Sequence, residues 1–116
     1  MIIKLDCLMS VDDSEIKKLD TMLTRASIPH DLHKFHEGWQ ITYCYDGEWE
    51  LRRKGCGDVV IHDGSYGHES GLLEAMGFDI TDEEYGDEVV GYLKAERAFE
   101  FFKRQYEKDK RERGIK

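Results

Sequence analysis

Between residues 39 and 45 the chain alternates. Trp39, Ile41, Tyr43 and Tyr45 fall on one register, and Gln40, Thr42 and Cys44 on the other. A period of two is what a strand with one buried face requires, and on a helix the same rings would scatter around the axis. This run therefore demands a sheet with apolar cover on one side.

Asp46-Gly47 follows as a turn signal. A two-residue loop there would pair Cys44 with Trp49 and Thr42 with Leu51. That would put Trp49 and Leu51 on the face opposite Ile41 and Tyr43. A three-residue loop, Tyr45 to Gly47, pairs Tyr43 with Trp49 and Ile41 with Leu51, and gives Gly47 the left-handed bulge position. The second loop keeps one apolar face and is the one expected. Glu48, Glu50 and Arg52 would then face water. Upstream, Asp31–His36 reads as a further strand. Downstream, Asp58–His62 is a short apolar run suited to a central position. Short connections imply an antiparallel meander of three to four strands.

Helical periodicity flanks this sheet. Ser10 to Asp13 has the form of a capping box, and Ile16, Leu19, Leu23 and Ala26 follow at helical spacing. A helix is predicted from Val11 to Ala26, ended by Pro29. Ser65 to Gly77 reads as a turn running into a two-turn helix, with Gly77 at its left-handed cap and Phe78 closing it. Thr81 to Glu84 would open a short helix, and Val89–Leu93 would be a strand or an extended packing segment. A last helix starts near Ala95, burying Ala95, Ala98, Phe99, Phe102 and Tyr106. Beyond Tyr106 the charged run implies a solvated, fraying end. The expected architecture is one α+β domain over residues 1–116, with an N-terminal helix and a long C-terminal helix on one face of the sheet and a basic tail over 103–116.

Charge separates the chain into two parts. The net charge is −8, but residues 103–116 carry seven Lys/Arg against three Asp/Glu, so the remainder stands at −12. Asp79 to Glu88 holds six carboxylates and no base. Such a body repels nucleic acid and suits a basic protein partner; the plainer alternative is that it keeps the protein soluble. The candidate contact residues are Asp79, Asp82, Glu83, Glu84, Tyr85, Asp87 and Glu88. Any of the large rings Trp39, Trp49, Tyr66, Tyr85 and Tyr92 left exposed beside this stretch would add an aromatic binding patch. No segment has the apolar length of a bilayer span, so no membrane contact is expected. The N-terminus is charged too early for a signal peptide. Three widely spaced cysteines do not resemble a disulfide framework, and a cytoplasmic protein is expected.

Signals for catalysis are weak. His62, Asp63 and His68 could supply two nitrogens and an oxygen to zinc, but their spacing matches no dedicated zinc motif. Ordinary polar histidines are the simpler reading, and no cofactor is called for. Cys56 lies between glycines near Lys54, without a specified base; a tight loop explains it better. Gly64 to His68 has the outline of an anion cradle but lacks the lysine and spacing of a P-loop. Close approach of Gly67 and Gly71 to the sheet explains it as well.

The run Ser65-Tyr-Gly-His-Glu-Ser-Gly-Leu-Leu-Glu-Ala-Met-Gly77, with Asp87-Glu-Val-Val-Gly-Tyr-Leu-Lys-Ala-Glu96, resembles a group of small uncharacterised proteins of prophages and mobile elements of Firmicutes. That group shares the pattern SYG-x-E-x-x-LLE-x-MG and a "VVGYLTAE" start to the last helix. The resemblance spans roughly residues 28–106 and departs at Lys94, where the group has a threonine N-cap. It implies a genomic setting rather than a chemistry: a non-enzymatic accessory protein in the bacterial cytoplasm that binds a host or phage protein. Its sharpest form is an anti-CRISPR inhibitor whose acidic surface occupies a nuclease's nucleic-acid channel. The alternatives are a homodimeric regulatory or assembly module of a phage, using the hairpin and Trp49, and a small metal-dependent hydrolase.

Overall fold

The computed structural model describes residues 11–45, 56–78 and 89–112. Helix α1 (Ser14–Arg25) leads into strands β1 (Asp31–Phe35), β2 (Gly38–Tyr43) and β3 (Gly57–Ile61). A single 3₁₀ turn (His68–Ser70) precedes β4 (Leu73–Met76) and β5 (Val89–Leu93), and helix α2 (Ala95–Glu112) closes the order. The strands form one antiparallel sheet in chain order, β1-β2-β3-β4-β5. The fold is α+β, as the patterning implies, with five strands rather than three or four.

Alternation explains the layering. Ile41 and Tyr43 from β2, Val59 and Ile61 from β3, Leu73 and Ala75 from β4, and Leu93 from β5 join one buried cluster. Ile16, Leu19 and Leu23 of α1 and Ala95, Ala98, Phe101 and Phe102 of α2 cover it. Both helices thus pack on one face of the sheet. Phe78 anchors the middle, with its ring 4.9 Å from Phe102 and 6.1 Å from Phe101. Gly57 makes room for it, since a Cβ there would stand 2.8 Å from the Phe78 ring.

The two helices are tied where α2 begins. Glu15 of α1 accepts the Ala95 backbone N–H at 2.7 Å, and Lys18 pairs with Glu96. Glu15 therefore accepts the first N–H of α2 and places a carboxylate at the positive end of the helix dipole.

Several expectations are corrected. Trp49 and Leu51, expected to pair with Tyr43 and Ile41, lie outside the described residues, and β2 finds its partners elsewhere. Ile41 is flanked by Leu32 and Val59, and Tyr43 pairs with Gly57, so the partner strand is β3. Asp46-Gly47 lies outside the described residues, and the ladder is set further along the chain. Cys44 and Cys56 extend the β2–β3 register by one pair and form a disulfide, with Cα atoms 4.4 Å apart. Cysteine count and spacing cannot see a strand register. The pairing removes the cysteine argument for a reducing compartment.

Leu73–Met76 is a strand, not a helix. Its residues favour helices, but Leu73 and Ala75 bury on a period of two and the strand pairs with β3 on one side and β5 on the other, and tertiary pairing overrides propensity. Helix α1 begins at Ser14, not Val11, and its first turn is served by Asp12, which accepts the Ser14 N–H at 2.9 Å. Ala26 is exposed.

The end of α2 is helical to Glu112, and Asp109 within it is 4% exposed. Asp109 accepts from the Tyr43 hydroxyl at 2.7 Å and from the Gln105 amide at 3.3 Å. The buried face of α2 also differs from the expected one: Phe101 replaces Phe99, which is only partly covered. The short helix expected at Thr81 lies outside the described residues. Among those described, no helix is long and apolar enough to cross a membrane.

Candidate functional site

The face of the sheet away from the helices carries a polar lattice. The pairings place His33, Gln40, Val60 and Glu74 side by side across four strands, with Asp31, Thr42, Asp58 and Met76 in the next row. Asp31 Oδ2 lies 2.8 Å from His33 Nδ1, and His33 Nε2 lies 2.7 Å from Gln40 Oε1. The Gln40 amide N–H donates to Asp58 Oδ2 at 3.0 Å. That bond orients Gln40 so that its carbonyl faces the histidine. Both ring nitrogens of His33 are engaged by neighbouring side chains, so His33 is a strut across β1 and β2. His30 sits the same way, between Ile28 O at 2.7 Å and Asp20 Oδ1 at 2.9 Å, and ties β1 to α1.

The lattice ends at Glu74, which accepts the Tyr66 backbone N–H at 2.7 Å. This bond fixes the loop that crosses from β3 to β4. The loop is closed on itself. His68 N–H donates to Ser65 O, Ser70 N–H and Leu72 N–H donate to Gly67 O, and Gly71 N–H donates to His68 O. The amides of Gly64, Ser65, Tyr66 and His68, which an anion cradle would aim at a phosphate, are already used.

The histidines of the weak metal set are used locally too. Gly64 N–H donates to His62 Nδ1 at 3.0 Å, which occupies that lone pair and leaves the hydrogen of the neutral ring on Nε2. His68 Nδ1 donates to Ser65 O at 2.7 Å. Asp63 comes no closer to His62 Nδ1 than 3.8 Å. Among the described residues no three His, Cys, Asp or Glu side chains converge as a metal ion needs. Cys56 is in the disulfide and offers no thiol.

Strand β5 is different in kind. Leu73 pairs with Leu93 and Ala75 with Val90, so Gly91 and Tyr92 together oppose Glu74 in a bulge. Tyr92 takes the left-handed backbone conformation, φ +60°. For a residue with a Cβ this costs about 1–2 kcal/mol. The adjacent glycine is occupied elsewhere: a Cβ on Gly91 would lie 2.4 Å from Tyr66 Cβ, so Gly91 admits the loop against the strand. Tyr92 N–H reaches Tyr66 O at 3.4 Å. Two backbones in direct contact thus present two tyrosines, Tyr66 at 61% and Tyr92 at 64% exposure. Met76, at 37%, is the third large apolar side chain left open among the described residues.

Asp79, Asp82, Glu83, Glu84, Tyr85, Asp87 and Glu88 lie outside the described residues. Their attachment points do not. Met76 pairs with Val89, so the segment 77–88 leaves and rejoins the sheet at neighbouring positions of β4 and β5. Sequence reasoning named Tyr66 and Tyr92 among several rings without separating them from Trp39, which is half covered between Lys17 and Lys34. A glycine-tyrosine pair in an edge strand was the available hint, but the bulge that turns Tyr92 outward has no sequence signature of its own. Compared with known protein families, curated proteins and solved structures, the chain matches none.

Proposed function

We propose that this chain is a non-enzymatic binding protein that holds a basic protein surface, and that residues 79–88 form the centre of its contact. The observation that supports this is the Met76–Val89 pair. It anchors at both ends a segment in which Asp79 to Glu88 holds six carboxylates and no base. A charged segment held at two ends loses less freedom on binding than a free tail does. In the prophage setting that the sequence resemblance implies, the partner is a host defence protein, most sharply a CRISPR nuclease. The acidic segment would take the place of the nucleic-acid backbone in its basic channel.

The test is capture of a guide-loaded nuclease by the wild-type chain and by a D82K/E83K/E84K variant, at low and at high salt. Wild-type capture should weaken steeply with salt, and the variant should fail at both concentrations. Equal capture by the two proteins would refute the reading.

A further inference from the structure

We infer that the outer edge of β1 docks the same strand of a second copy of this chain, the two β1 strands running antiparallel so that two sheets become one. This goes beyond the binding reading above and does not depend on it. Strand β1 stands at the end of the sheet order, and no described residue pairs with its other side. A two-residue turn, His36-Glu37, joins β1 to β2 and sets which backbone groups are spare. The pair that closes it, Phe35 with Gly38, exchanges hydrogen bonds, and by alternation so do His33 with Gln40 and Asp31 with Thr42. The N–H and C=O groups of Leu32 and Lys34 therefore point away from β2, along the open edge.

Sheet edges usually carry a guard against such pairing: a proline, a bulge, or a charge held over the edge. The far edge has one. Gly91 and Tyr92 form its bulge, and the Tyr66 loop lies against it. Strand β1 has no such guard. Its pairing runs unbroken from Asp31 to Phe35, and no proline falls within it. Its charges are turned inward. Lys34 Nζ lies 5.1 Å from the ring centroid of Trp39, its cross-strand partner in β2, and Asp31 Oδ2 lies 2.8 Å from His33 Nδ1.

Charge and symmetry name the occupant. The chain carries −8, which opposes contact between two copies over most of its surface. Around this edge the balance is even: Asp31 and Glu37 stand against Lys34 and Lys17, whose Nζ lies 4.6 Å from the same Trp39 ring. A basic segment finds no net attraction there, and a second copy meets no net repulsion. Pairing about a two-fold axis at His33 also satisfies every spare backbone group. Each Leu32 exchanges both hydrogen bonds with Lys34 of the second copy, and each Asp31 falls diagonally beside His33 of the second copy. Leu32, only partly buried against the core, gains cover from the stem of that lysine.

Sedimentation equilibrium of the full chain tests this, and wild type should pass from monomer to dimer as concentration rises. Lys34→Pro deletes an outward N–H and no bond to β2. It should raise the dissociation constant at least about tenfold, whereas Lys34→Ala, which keeps the N–H, should raise it less than about threefold. A cross-link reads the register. In the proposed pairing the two His33 Cα atoms face each other at about 4.5 Å, the spacing of a non-hydrogen-bonded pair. In a Cys7→Ser background, His33→Cys should therefore form a linked dimer in oxidised glutathione, seen on a non-reducing gel, and Leu32→Cys should not. A wild type that stays monomeric over about a hundredfold range of concentration overturns the inference. So does a dimer that Lys34→Pro leaves intact, or one that Leu32→Cys links and His33→Cys does not, because the copies would then meet elsewhere or in another register. Slow hydrogen exchange at the Leu32 and Lys34 amides of the monomer overturns it too, because the chain itself would then cover the edge. If Lys34→Pro melts well below wild type, the cross-link decides: without a His33→Cys dimer the edge pairing is refuted.

Discussion

The core beneath α2 and the edge at β5 use aromatic side chains in opposite ways. In the core, Tyr43 is 1% exposed, its ring 6.2 Å from Phe78 and 6.1 Å from Phe102, with its hydroxyl on Asp109. Every part of that side chain has a partner, and burial accounts for its presence. At the edge, Tyr92 is 64% exposed and holds an unfavourable backbone conformation. Nothing about stability favours a tyrosine there, since glycine would sit in the bulge with less strain. The contrast separates rings that build the fold from rings the fold displays.

The comparison breaks most easily at its buried side. Phe78→Ala should cost about 3–5 kcal/mol, because the ring is enclosed by Tyr43, Phe101 and Phe102 and their backbones cannot follow it inward. Denaturant unfolding with an unchanged slope would measure it. Tyr43→Phe keeps the packing but takes a donor from the buried Asp109 carboxylate, and should cost about 1–3 kcal/mol. Glu15→Ala strips the start of α2 of its acceptor and should cost about 1 kcal/mol in the same assay. Tyr92→Gly should reverse the sign, a gain below about 1 kcal/mol as relief of strain is offset by the entropy of glycine. A loss there would place Tyr92 with the core rings and dissolve the contrast.

The smallest effect belongs to Lys18 and Glu96. Hydrogen bonding to Lys18 holds the Glu96 carboxyl below the usual carboxylate range, and hydrogen bonding to Glu96 raises the Lys18 ammonium. A lowered carboxylate stabilises the fold above its usual range and loses that contribution as pH falls. A raised ammonium stabilises below its usual range and loses it as pH rises. Glu96→Gln should therefore lower the melting temperature slightly at neutral pH and leave it unchanged in strong acid. The effect stays small because both groups are open to water.

Much of this fold is written locally. Alternation in Trp39–Tyr43 gave β2 and its buried face, and the spacing of Ile16, Leu19 and Leu23 gave α1. What escaped was set by distant partners. Leu73–Met76 favours a helix alone and becomes a strand because β3 and β5 lie on either side. Asp109 is masked by the charged residues around it, although Ala98, Phe102, Gln105 and Asp109 continue one helical stripe that could have been followed. The cysteine pairing needed the β2–β3 register, which the Asp46-Gly47 turn signal misdirected. Of the candidate site, the exposure of Tyr66 and Tyr92 was foreseeable only as one possibility among five rings, since a bulge depends on the neighbouring strand.

The Cys44–Cys56 bridge changes the covalent topology of the molecule. Residues 45–55 are the open arc of a closed ring, so a protease cutting anywhere in that arc severs the polypeptide without separating its halves. One half would carry α1, β1 and β2; the other would carry β3, β4, β5 and α2. Such a nicked molecule would run on a denaturing gel as one species until reduced and as two afterwards.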